Sequence, residues 1–207
     1  MNKWIIDKSF AFCYGHRVWV QKTNVEYTAD NSPACKCRHL HGHEGLAHVF
    51  LEAEHLNAQG MVTDFLHLGW LKNFLDNVLD HKFVIDQNDP MFRRLVMEVH
   101  PHINLAVLLT SDYLQQHTNL VTVPGTNHAV GRVVQLSGLD SGSPEYETLE
   151  GYLIVNFVPT SENLSKWLFD MVNAKMSKIG VKCTRIDWFE TPKSRATYST
   201  PQPCVLS

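Results

Sequence analysis

The densest group of reactive side chains is the stretch CKCRHLHGH, which places Cys35, Cys37, His39, His41 and His43 at every second position. Side chains two residues apart in an extended segment point to the same side, so His41 and His43 can bind one ion together. Such a pair is a weak motif, because a chain with 12 histidines produces some pairs by chance. It indicates a metal site only in combination with further ligands.

A third imidazole nitrogen would complete this pair. His16 follows the segment KSFAFCY, and if that segment lies beside HGH, the three histidines form a zinc site with one open coordination position. An open position is typical of catalytic rather than structural zinc. The alternative, a closed zinc site built on cysteines, needs a second closely spaced pair, which Cys13, Cys183 and Cys204 do not offer.

A second reactive pair is Asp80 followed directly by His81 in LDHK. A carboxylate beside an imidazole can orient the ring and stabilise its charged form, which makes the pair a candidate general acid or base. The same residues are also typical of a helix end, where a histidine lies near the last carbonyl groups. Adjacency in sequence leaves both interpretations open.

Three segments with alternating apolar residues predict the strands that position these groups. Residues 8–14 alternate toward His16, and residues 46–54 alternate directly after HGH, so we expect the two segments to pair. Residues 181–190 alternate as well, and Glu190 ends their apolar row. A carboxylate at the end of an otherwise apolar row is unusual.

Two helices are predicted from apolar residues spaced three and four apart. The first covers residues 65–79, with Asp64 as its N-cap, and ends at LDH. The second begins in PTSEN, where Thr160 or Ser161 can cap it, and Gly180 stands where a helix stop belongs. These helices supply the apolar surfaces that cover a sheet.

A long segment from about residue 84 to 150 separates the two helices and contains the Gly/Ser/Pro-rich loop SGLDSGSPE. Its VGRVVQL stretch and the following YLIVNF stretch could form a hairpin that extends the sheet. A chain of 207 residues fits one domain, residues 1–207, that carries this segment as an insertion.

Composition excludes several classes of protein. Hydrophobic residues make up 44% of the chain and charged residues 19%, as in ordinary globular proteins. A net charge of −3 lacks the basic footprint of a nucleic-acid or membrane-surface protein, and no stretch is long enough to span a bilayer. The N-terminus lacks a signal peptide's apolar core and the 5 cysteines are an odd number, so we expect reduced thiols and a cytoplasmic location.

Taken in order, FCYGHRVW, CKCRHLHGHE, GMVTDF, LDHKF, PTSENL and FETPKSRATY closely resemble the motifs of the 6-pyruvoyl-tetrahydropterin synthase and 6-carboxytetrahydropterin synthase family. The resemblance covers about residues 4–83 and 157–198, and about 84–156 is largely an insertion beyond the compact family pattern. It implies an α+β tunnelling fold, with an antiparallel sheet and two helices packed on one face. It also implies a homohexamer, a dimer of trimers, with active sites between subunits.

The resemblance implies roles for individual residues. Zn2+ would be bound by three histidines: His16, His41 and His43. A cysteine before HGH would be the general base, and Asp80 and His81 would form the catalytic pair. Glu190 would anchor the amino group and ring nitrogen of a pterin, with further substrate contacts from PTSEN: Thr160, Ser161 and Glu162. We expect His39 to point away from the zinc or to touch a substrate phosphate.

The implied substrate is 7,8-dihydroneopterin triphosphate, and neither nucleic acid nor membrane is an expected partner. In the carboxytetrahydropterin branch the side chain is cleaved and acetaldehyde and triphosphate are released, in a route to 7-deazapurines of the queuosine type. In the pyruvoyl branch the side-chain carbons stay. The carboxy branch has the pattern C-x-x-x-H-G-H, which Cys37 fits, and the pyruvoyl branch has C-x-x-x-x-x-H-G-H, which Cys35 fits.

We prefer Cys37 as the base, and with it a 6-carboxytetrahydropterin synthase, because an extended chain brings Cys37 back to His41 over a shorter distance than Cys35. Two alternatives stay open. One is a synthase of the pyruvoyl branch that uses Cys35. The other is a non-catalytic protein of the same fold that only binds a pterin, although such a binder would need Glu190 and not the acid–base residues.

Overall fold

The computed structural model describes residues 3–29, 35–101 and 112–200. Within these ranges the dominant feature is one eight-stranded sheet, with the strands β1 (Trp4–His16), β2 (His41–Ala53), β3 (Lys82–Asp86), β4 (Thr118–Thr122), β5 (Ala129–Val134), β6 (Tyr152–Val155), β7 (Lys182–Thr191) and β8 (Ser194–Ser199). Their order across the sheet is β4-β5-β6-β3-β1-β2-β7-β8. The half formed by β1, β2, β7 and β8 is antiparallel, as predicted. The complete sheet is mixed, because β3 runs parallel to both β1 and β6.

The helices are α1 (Gly69–Val78), α2 (Tyr113–His117), α3 (Pro144–Glu150) and α4 (Ser161–Met176). The predicted helix over residues 65–79 is present, but its first turn, Phe65–Leu68, is a 3-10 helix. Asp64 caps that turn by accepting a hydrogen bond from the Leu66 N–H at 2.8 Å. Thr160 caps α4 by accepting from the Asn163 N–H at 3.3 Å. After a final 3-10 turn the chain reverses at Gly180, whose φ of 74° is in the left-handed region that favours glycine.

The main core lies between one face of the sheet and the helices α1 and α4. Alternate residues of β1, among them Phe10 and Phe12, face this core because successive strand side chains point to opposite sides. They meet apolar side chains of both helices: Leu71, Phe74, Leu75, Leu164, Leu168, Met171 and Val172. This arrangement confirms the predicted α+β class with two helices packed on one face.

The segment between α1 and α4 builds a second, smaller core on the other face of the sheet. Val84 of β3 belongs to the main core, whereas its neighbour Ile85 packs with Phe92, Val96 and Leu149 in the second one. The predicted neighbours VGRVVQL and YLIVNF do pair, through β5 and β6, but they are joined by way of α3 rather than by a tight turn. The part of this insertion at residues 102–111 lies outside the described residues. Among those described, no helix has the length and apolar character that crossing a bilayer requires.

Candidate metal centre and active site

Three strands bring the candidate metal ligands to one edge of the main core. In the antiparallel pair of β1 and β2, His16 lies opposite His41 and Tyr14 lies opposite His43. Paired residues of neighbouring strands share a face, so the three histidines lie side by side. On β7, Trp188 lies opposite Ala47 of β2, and two residues further Glu190 points to the same face.

These side chains form a compact group of possible ligands. Within the described part of the chain, one ligand atom each from His16, His41, His43 and Glu190 lies within 4.8 Å of the other three. The Glu190 Oε1 atom is 3.0 Å from His16 Nε2 and 3.0 Å from His43 Nε2. The His16 side chain is fully buried, and Glu190 is partly exposed.

Backbone carbonyl groups determine which nitrogen of each ring faces this group. His16 Nδ1 lies 2.6 Å from the Pro159 oxygen, and His41 Nδ1 lies 2.8 Å from the His39 oxygen. A carbonyl oxygen can only accept, so each Nδ1 carries the proton and donates it. Each Nε2 then directs a lone pair toward the cluster. Histidines that bind metals in proteins are commonly oriented by such a bond from the other ring nitrogen.

The residues present therefore fit a metal ion. The Nε2 atoms of His16, His41 and His43 are buried and, among the described residues, have no hydrogen-bond partner. Buried lone pairs that face a carboxylate repel it unless a cation lies between them. Positive charge among these rings, supplied by a bound metal ion or by a proton shared with His16 Nε2, lowers the pKa of Glu190. Its contact with the His16 ring brings this pKa to about 2 against the opposing effect of burial, so the carboxylate is ionised at neutral pH. Burial lowers the pKa of His43, which favours the neutral ring that binds metals.

An aromatic layer lies directly beneath the cluster. The Tyr14 ring centroid is 5.2 Å from that of His16 and 5.8 Å from that of His43. The Tyr14 hydroxyl accepts a hydrogen bond from Trp188 Nε1 at 3.1 Å. Burial raises the pKa of Tyr14, so its hydroxyl keeps its proton. This layer separates the ligands from the apolar core and holds three neighbouring strands together.

Asp80 and His81 do form a pair, as one of the two sequence interpretations predicts. Asp80 Oδ1 accepts from the Cys13 N–H at 2.6 Å, and Asp80 Oδ2 lies 2.9 Å from His81 Nδ1. The hydrogen bond from Cys13 and the contact with His81 lower the pKa of Asp80. His81 has a positive φ of 59°, rare for a residue with a side chain, and its side chain is 81% exposed. An open cleft of about 460 Å³ is bordered by both His81 and His43.

The two candidate base residues lie in a loop beside the end of β1. Cys37 is half-buried in the short 3-10 helix Lys36–Arg38, where its N–H donates to Gln21 Oε1 at 3.1 Å and its carbonyl accepts from the Val18 N–H at 2.7 Å. Cys35 Sγ lies 3.2 Å from Thr23 Oγ1. Neither thiol belongs to the group of possible metal ligands in the described chain. The choice of Cys37 stays a prediction.

The PTSEN motif reaches the cluster through one of its three predicted substrate residues. Ser161 Oγ donates to Glu190 Oε2 at 3.1 Å. Thr160 is occupied as the cap of α4, and Glu162 is exposed in its first turn. Their contacts with a substrate stay predictions. The His39 side chain is exposed and outside the ligand group, as expected.

Sequence reasoning missed the contributions of the backbone. The carbonyl of Pro159 accepts a hydrogen bond from His16 Nδ1 and orients the ring. Because every residue has a carbonyl group, the sequence does not show which one makes this contact. Sequence reasoning also missed how the end of β1 is attached to the insertion: Arg17 Nε lies 3.1 Å from Asp89 Oδ2, and Trp19 Nε1 donates to Asp86 Oδ2 at 3.0 Å. Both acidic side chains are buried, so these contacts hold the strand end next to His16.

Comparisons with known proteins agree with this geometry. Residues 5–201 match the protein-family model described as 6-pyruvoyl tetrahydropterin synthase. The chain is 28% identical to the 6-carboxy-5,6,7,8-tetrahydropterin synthase of Aquifex aeolicus, over 95% of this chain and 98% of that protein. A crystal structure of an uncharacterized protein from Wolinella succinogenes has a TM-score of 0.80 at 36% identity, covering 97% of this chain and 100% of the other. The 6-pyruvoyl tetrahydropterin synthase of Caenorhabditis elegans, at 18% identity and a TM-score of 0.50 over 97% and 98% of the two chains, shares the fold.

Proposed function

Since the chain belongs to the 6-pyruvoyl tetrahydropterin synthase family, we propose that it is a zinc-dependent 6-carboxytetrahydropterin synthase. The reaction converts 7,8-dihydroneopterin triphosphate and water to 6-carboxy-5,6,7,8-tetrahydropterin, acetaldehyde and triphosphate, in a route to 7-deazapurines of the queuosine type. The name of the Aquifex aeolicus relative supports this branch. The position of Cys37 before HGH supports it as well.

The observation that carries the proposal is the convergence of three histidine Nε2 atoms, each without a hydrogen-bond partner among the described residues, at one end of the core. Imidazole nitrogens with a carboxylate suit zinc, which prefers four ligands of this kind. When bound, zinc would polarise the hydroxyl groups of the substrate side chain and make their protons more acidic. The donor set thus supports lyase chemistry on that side chain.

The remaining residues take the roles of binding and proton transfer. Glu190, ionised at neutral pH, binds the amino group and the adjacent ring nitrogen of the pterin through its two oxygens. Cys37 acts as the general base that removes a proton from the side chain. His81 is the second acid–base group, and Asp80 orients its ring because Asp80 Oδ2 accepts a hydrogen bond from the Nδ1–H group.

Incubation of the zinc-loaded protein with 7,8-dihydroneopterin triphosphate, followed by mass analysis of the pterin and of released acetaldehyde, tests this function. A 6-carboxy product with acetaldehyde is expected. A 6-pyruvoyl product would assign the chain to the sister branch, which the spacing of Cys35 favours. If the protein binds the substrate but does not convert it, the chain is a pterin-binding protein and not an enzyme.

The two cysteines are compared by Cys37→Ala and Cys35→Ala. Cys37→Ala should abolish turnover while pterin binding persists. Cys35→Ala should keep most of the turnover. The reverse result would show that the assignment of the base is wrong. Because both residues lie in one loop, each variant is a matched control for the other.

We further infer a homohexamer, a dimer of trimers, with active sites between subunits. Among the described residues, β3 pairs with β1 only at Tyr14 and Gly15, so the N-terminal part of β1 is a free sheet edge, and β8 is another. Free edges invite pairing with a second chain, and Trp4 and Ile5 on this part of β1 are more than half exposed. Light scattering during size-exclusion chromatography should give six times the subunit mass of 23.6 kDa. The single domain and the cytoplasmic location stay predictions.

A further inference from the structure

Glu190 lies where a fourth metal ligand belongs. Zinc bonds to imidazole nitrogen and carboxylate oxygen are about 2.0–2.2 Å long, so two such ligands in a tetrahedral site are separated by about 3.3–3.6 Å. The Glu190 Oε1 atom is 3.0 Å from His16 Nε2 and 3.0 Å from His43 Nε2. Both separations are slightly shorter than such an edge, so an ion between these atoms would need only a small adjustment, and the ligand atom of His41 lies within 4.8 Å of the other three.

The second oxygen of the same carboxylate is also engaged. Glu190 Oε2 accepts from Ser161 Oγ at 3.1 Å, and Ser161 is the first residue of α4. Both oxygens of Glu190 therefore have partners within the chain, one at the histidines and one at the start of α4.

This arrangement conflicts with the role that the proposed function gives to Glu190. A carboxylate that binds the amino group and the ring nitrogen of a pterin uses both oxygens for the ligand. It cannot keep one oxygen among the histidines and the other on Ser161 at the same time. A tripod of histidines closed by Glu190 would also lack the open coordination position that a catalytic zinc needs. Either the pterin is bound elsewhere or the carboxylate moves.

We propose that Glu190 is a displaceable fourth ligand, which closes the metal site in the free protein and leaves it when a pterin binds. The inference rests on the proposed function, because it takes the pterin as the molecule that withdraws the carboxylate. Recognition of the pterin ring thereby opens the coordination position for the side chain of the same molecule. A compound without the amino group and ring N–H cannot withdraw Glu190 and leaves the site closed.

The first test uses the metal alone, so it does not depend on turnover. The protein is loaded with Co2+, whose visible absorption reports the number and type of ligands, and the zinc affinity is measured by competition with a chelator. Glu190→Gln should change the cobalt spectrum as a water replaces the carboxylate, and should weaken zinc binding by at least about 10-fold. Ser161→Ala, which keeps the carboxylate but frees Oε2, should weaken zinc binding by only about 2-fold to 5-fold.

Glu44→Gln is the matched control. Glu44 directly follows His43 but is exposed, on the opposite face of β2, so its loss should leave the cobalt spectrum and the zinc affinity unchanged. Circular dichroism checks that all variants are folded. If Glu190→Gln leaves both the spectrum and the affinity of the wild-type protein intact, Glu190 is not a ligand and the inference is overturned.

The second test adds 7,8-dihydroneopterin, which lacks the triphosphate and so keeps the ring without the leaving group. Its binding should shift the wild-type cobalt spectrum away from that of the free protein and leave the spectrum of Glu190→Gln nearly unchanged. The lumazine counterpart of 7,8-dihydroneopterin, which keeps the same side chain but has oxygen in place of the amino group, should not shift either spectrum. Binding of the pterin without a spectral shift overturns the withdrawal of Glu190. If both spectral results are as expected but the protein does not convert 7,8-dihydroneopterin triphosphate, the proposed enzymatic function is refuted and the exchange of Glu190 is not.

Discussion

Replacement of Asp80 with asparagine tests whether Asp80 and His81 act as one acid–base unit. Asp80 Oδ1 accepts from the Cys13 N–H at 2.6 Å, and Oδ2 faces His81 Nδ1 at 2.9 Å. An asparagine of equal size must keep its oxygen toward the Cys13 N–H, so its NH2 group faces His81 Nδ1. That nitrogen then has to accept a hydrogen bond rather than donate one, and the ring proton moves to Nε2. The nitrogen that should take up a substrate proton is thereby blocked.

The size of the effect follows from exposure and chemistry. The His81 side chain is 81% exposed, so water screens its attraction to Asp80, and the loss of charge alone costs about 1 kcal/mol, or about a factor of 5. A positioned general acid or base contributes roughly 10²-fold to 10⁴-fold. We therefore expect kcat to fall by about 10²-fold or more. KM should change by less than about 3-fold, because neither residue is assigned to binding of the pterin ring.

The assay is steady-state turnover of 7,8-dihydroneopterin triphosphate by Asp80→Asn, His81→Ala and the double variant. Residues that act as a unit are not additive, so the double variant should be no slower than His81→Ala. Asp76→Asn is the control, since Asp76 is an exposed partner of Lys72 on α1 and should not affect kcat. The reasoning is refuted if Asp80→Asn keeps kcat within about 3-fold of the wild type, or if the two losses multiply.

Three further changes test the fold and the metal site. Burial raises the pKa of Asp187, but hydrogen bonds from Arg185 and Thr197 bring it below its ordinary value. The ionised Asp187 therefore stabilises the folded protein above about pH 4, and this contribution is lost as the pH falls. Asp187→Asn should lower the free energy of unfolding, measured with urea, by about 2 kcal/mol at pH 7 and by clearly less at pH 3. Equal losses at the two pH values would contradict this prediction. Gly45→Ala places a Cβ 2.6 Å from a Phe12 ring carbon and should cost about 1–3 kcal/mol by the same measurement. Removal of zinc by a chelator should lower Tm by roughly 5–10 °C, reversibly on adding zinc and not magnesium; an unchanged Tm would argue against the site.

Parts of this fold were predictable because a single physical rule controls each of them. Burial of one strand face leaves a period of two in the sequence, which is why the pairing of β1 with β2 is confirmed. Helix caps depend on one side chain and the nearest N–H groups, so the cap by Asp64 was predicted directly and Thr160 was one of the two candidates for the second helix. The insertion was harder: its VGRVVQL and YLIVNF strands were expected, but β3 is short and largely buried, so it lacks the alternation that marks a strand with one exposed face.

The sequence by itself determined that His41 and His43 share one side of a strand, since that depends only on the spacing of residues along the chain. Only the tertiary structure determined which other residues contact these two histidines. It placed Glu190 rather than His39 beside the histidines, because the register between β2 and β7 is set by packing across the whole sheet. It also placed the Pro159 carbonyl on His16, a contact across 143 positions made by a backbone group that every residue has. Contacts of this kind arise from folding in three dimensions and leave no local pattern to detect.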